Sequence, residues 1–342
     1  MYNFSAELNK EYLCSHTITP ECVAPYTVGA LLYCPALNTK IIDMLLHNSA
    51  GHPFSLALCL EDSISDSAVN IAEDQIAHTL NGIFQLLASG QLIKSALPQI
   101  FIRVRSAVQV VTIFNKIKAY QSLLSGFILP KYSLNCAEEY NKSILEINSM
   151  SDKKIYMLPI IESGDVINLS TRQETLTRIK SYIDTMAEYV LNVRIGGNDF
   201  CKHFGIRRSL DETIYDILPI ANILSDILTV FSMDYVVSGP VWEYFDSPDG
   251  EWADGLKKEI KRDKLNGFVG KTVIHPNQIE IVNQCLKVEK ADFEDAVSIL
   301  SFKSDHLLVA KSNDGKRMNE IKTHTKWAEK IVILANIYGV KE

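Results

Sequence analysis

The chain contains 342 residues, of which 47% are hydrophobic and 22% charged, and its formal net charge is −7. This length is enough for one large barrel or for two ordinary domains. With 41 acidic and 34 basic residues, and no dense run of lysine and arginine, the composition argues against nucleic acid as a partner. No apolar stretch approaches the roughly 20 residues of a membrane-spanning helix, and no secretory signal is visible. We therefore expect a cytoplasmic protein that binds neither nucleic acid nor membrane.

Seven cysteines are spread widely along the chain, with no C-x-x-C pair and no nearby cluster with histidine. This pattern predicts reduced thiols in a reducing compartment and argues against a zinc site. Cys34 and Cys59 lie at the ends of apolar runs, where we expect small buried thiols.

Short apolar, β-branched segments alternate with longer amphipathic segments along the chain. The eight candidate strands are GALLYC from Gly29, SLALCL from Ser55, IFIRVR from Ile100, GFILP from Gly126, IYMLPI from Ile155, VLNVRI from Val190, DYVVSG from Asp234 and GFVGKTVI from Gly267. Helices are predicted over residues 38–47, 66–88, 108–124, 135–147, 172–188, 212–231, 250–265 and 276–287. Such alternation is typical of a parallel sheet with crossover helices.

Eight strand–helix units within roughly 250 residues predict a (β/α)₈ TIM barrel. A doubly wound open sheet is the alternative, but the first strand runs into Cys34-Pro35-Ala36 where that fold usually has a glycine-rich phosphate turn. We predict that the barrel covers residues 29–288. An amino-terminal extension over residues 1–28 would precede it, and a carboxyl-terminal helical extension over residues 289–342 would follow it.

Titratable side chains stand at the carboxyl ends of six predicted strands. They are Glu61 and Asp62, Arg103 and Arg105, Lys131, Glu162, Asp199, and His275. Barrel enzymes build their sites at these ends, so we expect a shared polar pocket there. The alternative for any one strand is that the chain has simply reached solvent.

Glu162 and Asp199 follow neighbouring strands, so a barrel would bring their carboxylates to one side of the pocket. Two carboxylates with no histidine or cysteine beside them suit a hard divalent cation such as Mg²⁺. The alternative is that each carboxylate pairs with a basic neighbour such as Arg103 or Lys131.

Basic side chains in the pocket admit several roles. Arg103 and Arg105 alternate along their strand and are predicted to share a face, where a planar guanidinium suits a carboxylate or enolate oxygen. Pairing of one of them with an acidic neighbour is the alternative. Lys131 could act as a Schiff-base nucleophile, although no device that would depress its pKa is visible. His275 precedes a proline, where ordering of the loop is an alternative to catalysis.

The stretch GFVGKTVIHPNQIEIVN at residues 267–283 resembles the G-F-x-G-K-x-x-I-H-P-x-Q-I signature of citrate lyase β-subunit-like proteins in the HpcH/HpaI aldolase family. Further matches follow the family order: LYCPA from Leu32, CLEDS from Cys59, IRVRS from Ile102, ILPKY from Ile128, PIIES from Pro159 and IGGNDF from Ile195. The resemblance covers roughly residues 30–288. The chain is similar to a divergent branch of the family, because Gly29-Ala30 replaces a frequent Arg-Ser pair.

The resemblance implies a (β/α)₈ barrel that cleaves or forms carbon–carbon bonds, often with acyl-CoA substrates. Glu162 and Asp199 would ligate Mg²⁺, Arg103 would polarise the substrate carbonyl, and Glu61 and Asp62 would support the metal waters and the substrate.

The resemblance also implies a homotrimer or homohexamer in which a carboxyl-terminal lid covers a neighbour's site. Glu320 stands where the lid usually has an aspartate, and it is the candidate general acid or base. Lys131, Arg105 and His275 are the candidate cofactor-binding residues.

We therefore predict a Mg²⁺-dependent lyase of the aldolase type. Its substrate would be a small-molecule carboxylate or acyl-CoA, namely a 3-hydroxy-acyl or hydroxy-acid compound such as a citryl- or malyl-like thioester. Two alternatives remain open at this stage: a non-catalytic barrel that binds a metabolite or acyl-CoA, and a Schiff-base aldolase that uses Lys131.

Overall fold

A computed structural model describes residues 19–47, 51–303 and 306–341. The chain divides into two compact units. The first unit covers Val28–Val282, and the second combines the described residues before Val28, which are 19–27, with the described residues after Val282. The predicted barrel over residues 29–288 therefore ends close to the end of the first unit.

The first unit contains a parallel sheet of eight strands in the order β7-β6-β5-β4-β3-β2-β1-β8. The strands are β1 Ala30–Pro35, β2 Ser55–Cys59, β3 Gln99–Arg103, β4 Leu124–Leu129, β5 Tyr156–Ile161, β6 Val193–Ile195, β7 Val237–Ser238 and β8 Lys271–Val273. A parallel bridge between Gly239 and Lys271 connects the two ends of the sheet. The sheet is a nearly closed TIM barrel, so the predicted fold and all eight predicted strands are confirmed.

Helices follow the strands as crossovers. The described helices are α1 Pro20–Val23, α2 Ile41–Leu46, α3 Val69–Ala88, α4 Ala107–Lys116, α5 Ala137–Ser149, α6 Arg172–Asp184, α7 Gly197–Phe204, α8 Leu218–Phe231, α9 Glu251–Asn266, α10 Asn277–Leu286, α11 Lys290–Ser301 and α12 Ile321–Tyr338. The helix predicted over residues 212–231 is instead a 3₁₀ turn at Ile214–Asp216 followed by α8. The Thr213–Asp216 capping box fixes that turn, and Pro219 lies in the first turn of the new helix.

The strands are buried on both sides, as expected when helices cover the outer face of a parallel sheet. Two neighbouring side chains of strand β8, Lys271 and Thr272, lie on opposite faces of the sheet. Lys271 is fully buried and reaches the Glu259 and Asp263 carboxylates of α9, at 2.7 Å each. The next residue, Thr272, lines the barrel pocket. The lysine of the GFVGK motif is therefore a structural ion-pair residue between strand and helix.

The second unit has a small core of its own. Ala296 and Ile299 of α11 pack with Ala328 and Val332 of α12. An antiparallel pair of short strands, β9 Val309–Lys311 and β10 Met318–Glu320, precedes α12.

Cysteines within the described residues are free thiols, and Cys34 and Cys59 are buried, which confirms the prediction for these two side chains. Across the same residues, no helix combines the length and hydropathy needed to cross a membrane.

Candidate active site

A pocket of about 290 Å³ opens at the carboxyl ends of the barrel strands. Its lining includes Tyr33 of β1, Asp62 after β2, Arg103 of β3, Glu162 after β5, Arg194 of β6, Asp199 of α7 and Thr272 of β8. The expected polar pocket therefore forms from residues on most of the strands.

Arg103 lies at the centre of an acidic cluster. Its Nη2 atom is 2.8 Å from Glu61 Oε2, 3.1 Å from Asp62 Oδ2 and 3.5 Å from Glu162 Oε1. The guanidinium is buried, and burial alone would lower its pKa, but Tyr33 and the surrounding carboxylates raise it. Arg103 therefore stays charged, and one edge of its guanidinium is fixed by carboxylates.

Lys131 joins the same cluster through both its backbone and its side chain. Its Nζ atom pairs with Glu61 and lies 3.8 Å from Asp62 Oδ1. Burial lowers the pKa of the ammonium, but the hydrogen bond and charge of Glu61 and the charge of Asp62 outweigh that effect and raise it. A Schiff-base nucleophile needs the opposite shift, so this geometry argues against that alternative.

Glu162 is only 3% exposed and packs tightly against Gly196. A Cβ atom on Gly196 would lie 2.0 Å from Glu162 Oε2, so this carboxylate fits only beside a glycine. Burial raises the pKa of Glu162 to about 8, with Arg103 opposing the rise and the nearby Asp199 carboxylate adding to it. Glu162 and Asp199 are therefore adjacent, as the order of the strands predicts.

Asp199 lies in the first turn of α7, a helix that the sequence patterns did not predict. Among the residues that the structure describes, no cation pairs with the Asp199 side chain. The neighbouring Asn198 also lines the pocket, and its Oδ1 atom is buried without a hydrogen-bond partner. The alternative to metal binding was that each carboxylate pairs with a basic neighbour. It applies to Glu162, which contacts Arg103 and the Lys131 amide, and not to Asp199.

The charges of this cluster are unbalanced in a way that suits a divalent cation. The acidic side chains are Glu61, Asp62, Glu162 and Asp199, and the cations are Arg103 and Lys131. When all are ionised, two negative charges remain. Oxygen donors without histidine or cysteine suit Mg²⁺, which keeps several waters and takes one or two carboxylates. The described residues contain no group of three or more His, Cys, Asp or Glu side chains that could hold a metal, so waters or substrate would complete the coordination.

Two other predicted site residues, Arg105 and His275, lie apart from this cluster. Arg105 comes after the end of β3, so strand alternation no longer directs it inward, and it pairs with Asp66 at 2.5 Å. The ring of His275 stacks on Phe245 with centroids 4.6 Å apart, and its Nδ1 atom accepts a hydrogen bond from the Asn277 amide. These contacts match the loop-ordering role of His275, and the cofactor-binding roles of both residues stay predictions.

Glu320 lies in the second unit, immediately before α12. Its carboxylate accepts a hydrogen bond from Thr323 Oγ1 at 3.0 Å, and its backbone amide donates to His324 Nδ1. Its predicted role as general acid or base at a neighbouring chain's site stays a prediction.

Sequence reasoning missed several residues of the pocket, three of which lie inside strands. Arg194, Tyr33 and Thr272 lie within apolar strands and point into the barrel lining. Arg194 is 1% exposed. Burial raises the pKa of the Tyr33 phenol, and the charges of Arg194 and Arg103 partly offset that rise. The signal that could have revealed Arg194 is its spacing of two from Asn192 in VLNVRI, which puts two polar side chains on one face of a buried strand.

The barrel, with its polar pocket at the carboxyl ends of the strands, defines the class of TIM-barrel proteins that carry their site at that face. The chain belongs to the family of C–C bond lyases of the TIM-barrel fold, whose model matches residues 22–340. No curated protein matches the chain.

Solved structures share this fold at low sequence identity. The CitE protein of Mycobacterium tuberculosis in complex with magnesium, acetoacetate and coenzyme A is 16% identical, with a TM-score of 0.60, over 91% of this chain and 99% of that one. RipC from Yersinia pestis is 17% identical, with a TM-score of 0.51, over 76% of this chain and 95% of that one. A complex of CitE with magnesium and pyruvate has a TM-score of 0.50 at 16% identity, over 77% of this chain and 92% of that one.

Proposed function

We propose that this protein is a Mg²⁺-dependent carbon–carbon lyase. Its substrate would be a 3-hydroxy-acyl compound with a carboxylate next to the hydroxyl carbon, such as a malyl- or citryl-like CoA thioester. The observation that carries the proposal is the adjacent pair of carboxylates, Glu162 and Asp199, beside the buried guanidinium of Arg103 in one pocket. Family membership and the magnesium, acetoacetate and coenzyme A of the CitE complex support it.

Glu162 and Asp199 would hold the cation. Bound Mg²⁺ would supply Lewis-acid polarisation of the carboxylate and hydroxyl oxygens of the substrate. Both donors that reach Glu162 contact Oε1, so Oε2, beside Gly196, is the atom that faces no donor in the described part of the chain. The buried Asn198 Oδ1 atom offers a further oxygen acceptor in the same pocket.

Arg103 would stabilise the charge that develops when the carbon–carbon bond breaks. A base removes the hydroxyl proton, a carbonyl forms at that carbon, and the electrons of the broken bond pass to the acyl fragment as an enolate, which then takes up a proton. Carboxylates fix Nη2 of Arg103, whereas Nε has no partner among the described residues and Nη1 makes only a 3.9 Å contact with Cys59. The unpaired Nε donor is therefore held in place for an enolate oxygen before the reaction begins.

Proton transfer is the step for which the sequence resemblance alone provides a residue, Glu320. In the predicted homotrimer or homohexamer, the carboxyl-terminal lid would carry this carboxylate to a neighbouring chain's site, where it would transfer the proton. Glu61 and Asp62 would keep Arg103 oriented and accept hydrogen bonds from water and substrate.

The test is cleavage of malyl-CoA and citryl-CoA, followed by chromatography of released acetyl-CoA with Mg²⁺ and with EDTA. We expect Mg²⁺-dependent release, reduced in Glu162→Gln and Asp199→Asn by more than the roughly 10- to 100-fold typical of residues that only support a metal ligand. Glu138→Gln is the matched control, because Glu138 pairs with Lys142 on the exposed face of α5. Release that persists in EDTA and in both variants would contradict the proposal, and tight binding without product would indicate a binding barrel instead.

A further inference from the structure

We propose that Arg194 is the receptor for a second carboxylate of the substrate, so that the pocket selects diacids over monoacids and, of the two thioesters named above, the citryl-like one, which has two free carboxylates. The inference deepens the proposed function and rests on it, because the first carboxylate of the substrate is the one assigned to the cation. Arg194 belongs to β6 and is paired in register with Ile160 of β5 and Ser238 of β7.

Arg194 differs from the other buried arginines of the described residues. Arg103 meets three carboxylates, Arg172 pairs with Asp226 at 2.9 Å, and Arg208 lies 3.3 Å from Glu259. Arg194 is 1% exposed, yet within the described chain no carboxylate lies within ion-pair distance of it. A buried cation without an anion is unfavourable, so this guanidinium is a site that an anionic ligand would stabilise.

Neutral groups hold Arg194 in place and leave part of it free. Its Nη2 atom donates to Thr272 Oγ1 at 2.6 Å, and its Nη1 atom lies 3.4 Å from Asn192 Oδ1. Its Nε atom is buried without a hydrogen-bond partner. The guanidinium is thus fixed in orientation but retains a donor, as a preorganised carboxylate site requires.

Thr272 adds a second donor at the same point. Its hydroxyl accepts from Arg194, and in the described part of the chain its own proton is donated to no other group. Both side chains line the pocket. A carboxylate oxygen could therefore receive hydrogen bonds from the Arg194 guanidinium and the Thr272 hydroxyl together.

Arg194 lies in a different strand from the acidic cluster, apart from Asp199, which follows β6. The cluster is built from β2, β3, β4 and β5 and the residues that follow them, with Asp199 on α7, whereas Arg194 and Thr272 belong to β6 and β8. The rim arginine of the pocket, Arg207, is already paired with Glu243 at 3.1 Å. A divalent cation would balance the acidic cluster, so Arg194 remains the cation available to a second anionic group.

The size of the pocket limits the part of the ligand that it holds to a small acid. Its volume of about 290 Å³ lies near the roughly 300 Å³ at which ligand pockets begin. A diacid of four or five carbon atoms, with one carboxylate at the cation and the other at Arg194, is the class that this arrangement suits.

The experiment compares acids matched in length by titration calorimetry on the full-length chain with Mg²⁺. The pairs are oxaloacetate with 2-oxobutyrate and 2-oxoglutarate with 2-oxopentanoate, in which a methyl group replaces the distal carboxylate. We expect the wild type to prefer the diacid of at least one pair by about tenfold to hundredfold, the range of a hydrogen bond to a charged group. Equal binding of both members of both pairs would overturn the inference. It would also be overturned if none of the four acids bound.

Three variants locate the preference. Arg194→Gln should abolish it, Arg194→Lys should keep part of it, and Thr272→Val should reduce it while leaving the guanidinium in the protein. Arg207→Gln is the matched control, because it removes a guanidinium of the same pocket that already has a carboxylate partner. If Arg194→Gln does not fold, Thr272→Val and Arg194→Lys decide, and an unchanged preference in both would overturn the inference.

Titration of Mn²⁺ separates this inference from the proposed function. Binding of Mn²⁺ should be the same in wild type and Arg194→Gln, because the cation depends on Glu162 and Asp199. A diacid preference that Arg194→Gln removes, in a protein that binds no divalent cation, would support the inference and contradict the proposed function. Loss of Mn²⁺ binding in Arg194→Gln would contradict the inference.

Discussion

The backbone amide of Lys131 donates a hydrogen bond of 2.9 Å to Oε1 of Glu162, which is 31 residues further along the chain. Lys131 has a φ of +49°, and among the described residues other than glycine it alone has a positive φ. Such a conformation is disfavoured for residues with a side chain and points to a functional constraint. The loop after β4 thereby fixes a carboxylate oxygen at the end of β5, while the Lys131 side chain reaches Glu61.

The side chain of Lys131 should not form a Schiff base. Glu61 and Asp62 raise the pKa of its ammonium, so it is protonated at neutral pH and is a poor nucleophile. Treatment with pyruvate and borohydride, followed by peptide mass spectrometry, should give no adduct at Lys131. Lys131→Met is the control for reaction at surface lysines, and a stoichiometric adduct that this variant lacks would refute the metal-based account.

Replacement of Gly196 by alanine should weaken cation binding. The new Cβ atom would lie 2.0 Å from Oε2 and 2.5 Å from Cβ of Glu162, so the carboxylate must move. We expect Mg²⁺ affinity, measured by calorimetry, to fall at least about tenfold. Gly164→Ala is the matched control, because its Cβ atom would meet only the His203 ring, at 3.0 Å. Equal Mg²⁺ affinity in wild type and Gly196→Ala would show that Glu162 is not a ligand.

Lys271→Met should destabilise the barrel strongly. The substitution leaves Glu259 and Asp263 buried together without their shared cation, and breaking a buried ion pair typically costs about 3–5 kcal/mol. The free energy of unfolding in urea measures this cost. Lys257→Met is the control, because Lys257 pairs with Asp254 on the exposed surface, where such pairs contribute about 0–1 kcal/mol. A similar small loss in both variants would mean that Lys271 is dispensable for stability.

Asp216 should make stability depend on pH in the acid range. Burial works to raise the pKa of this carboxyl, but hydrogen bonds from Thr213 and Arg262 outweigh it and lower the pKa to about 2, against a usual value of 3.8. Its folded-state pKa is depressed, so its contribution is complete above pH 3.8 and is lost as the pH falls towards 2. We expect Asp216→Asn to lose about 0.5–1 kcal/mol at pH 7, since the site is partly exposed to solvent.

Urea unfolding at pH 7 and pH 3 tests this dependence. The difference between wild type and Asp216→Asn should be smaller at pH 3. Asp254→Asn serves as the control, because Asp254 pairs with the exposed Lys257 within one helix. A difference that stays constant between the two pH values would show that the Asp216 carboxylate does not carry the stabilisation.

The fold could be predicted from the sequence because each strand has its own local signal. The eight apolar segments, their spacing and their polar ends all depend on residues close together in the chain. Helix α7 was missed because Gly197–Phe204 is short and starts within a glycine-rich turn. Its position nevertheless decides where Asp199 lies.

The sequence predicted pocket residues that follow the end of a strand, such as Asp62, Glu162 and Asp199, and missed residues that lie inside one, such as Tyr33, Arg194 and Thr272. Glu162 and Asp199 met as expected, because parallel neighbouring strands bring their carboxyl ends together. Arg105 does not line the pocket, because β3 ends at Arg103 and the strand no longer directs the Arg105 side chain inward. The lack of a counterion at Arg194 depends on which side chains three strands bring together, and no segment of the sequence contains that information.

Titration of the full-length protein with Mg²⁺ by calorimetry tests the central claim most directly. We predict one site per chain in the wild type, no binding in the double variant Glu162→Gln/Asp199→Asn, and unchanged binding in Glu138→Gln. Binding of Mg²⁺ by the double variant with the affinity of the wild type would contradict the account, because the cation would then lie elsewhere and the carboxylate pair would have no role in holding it.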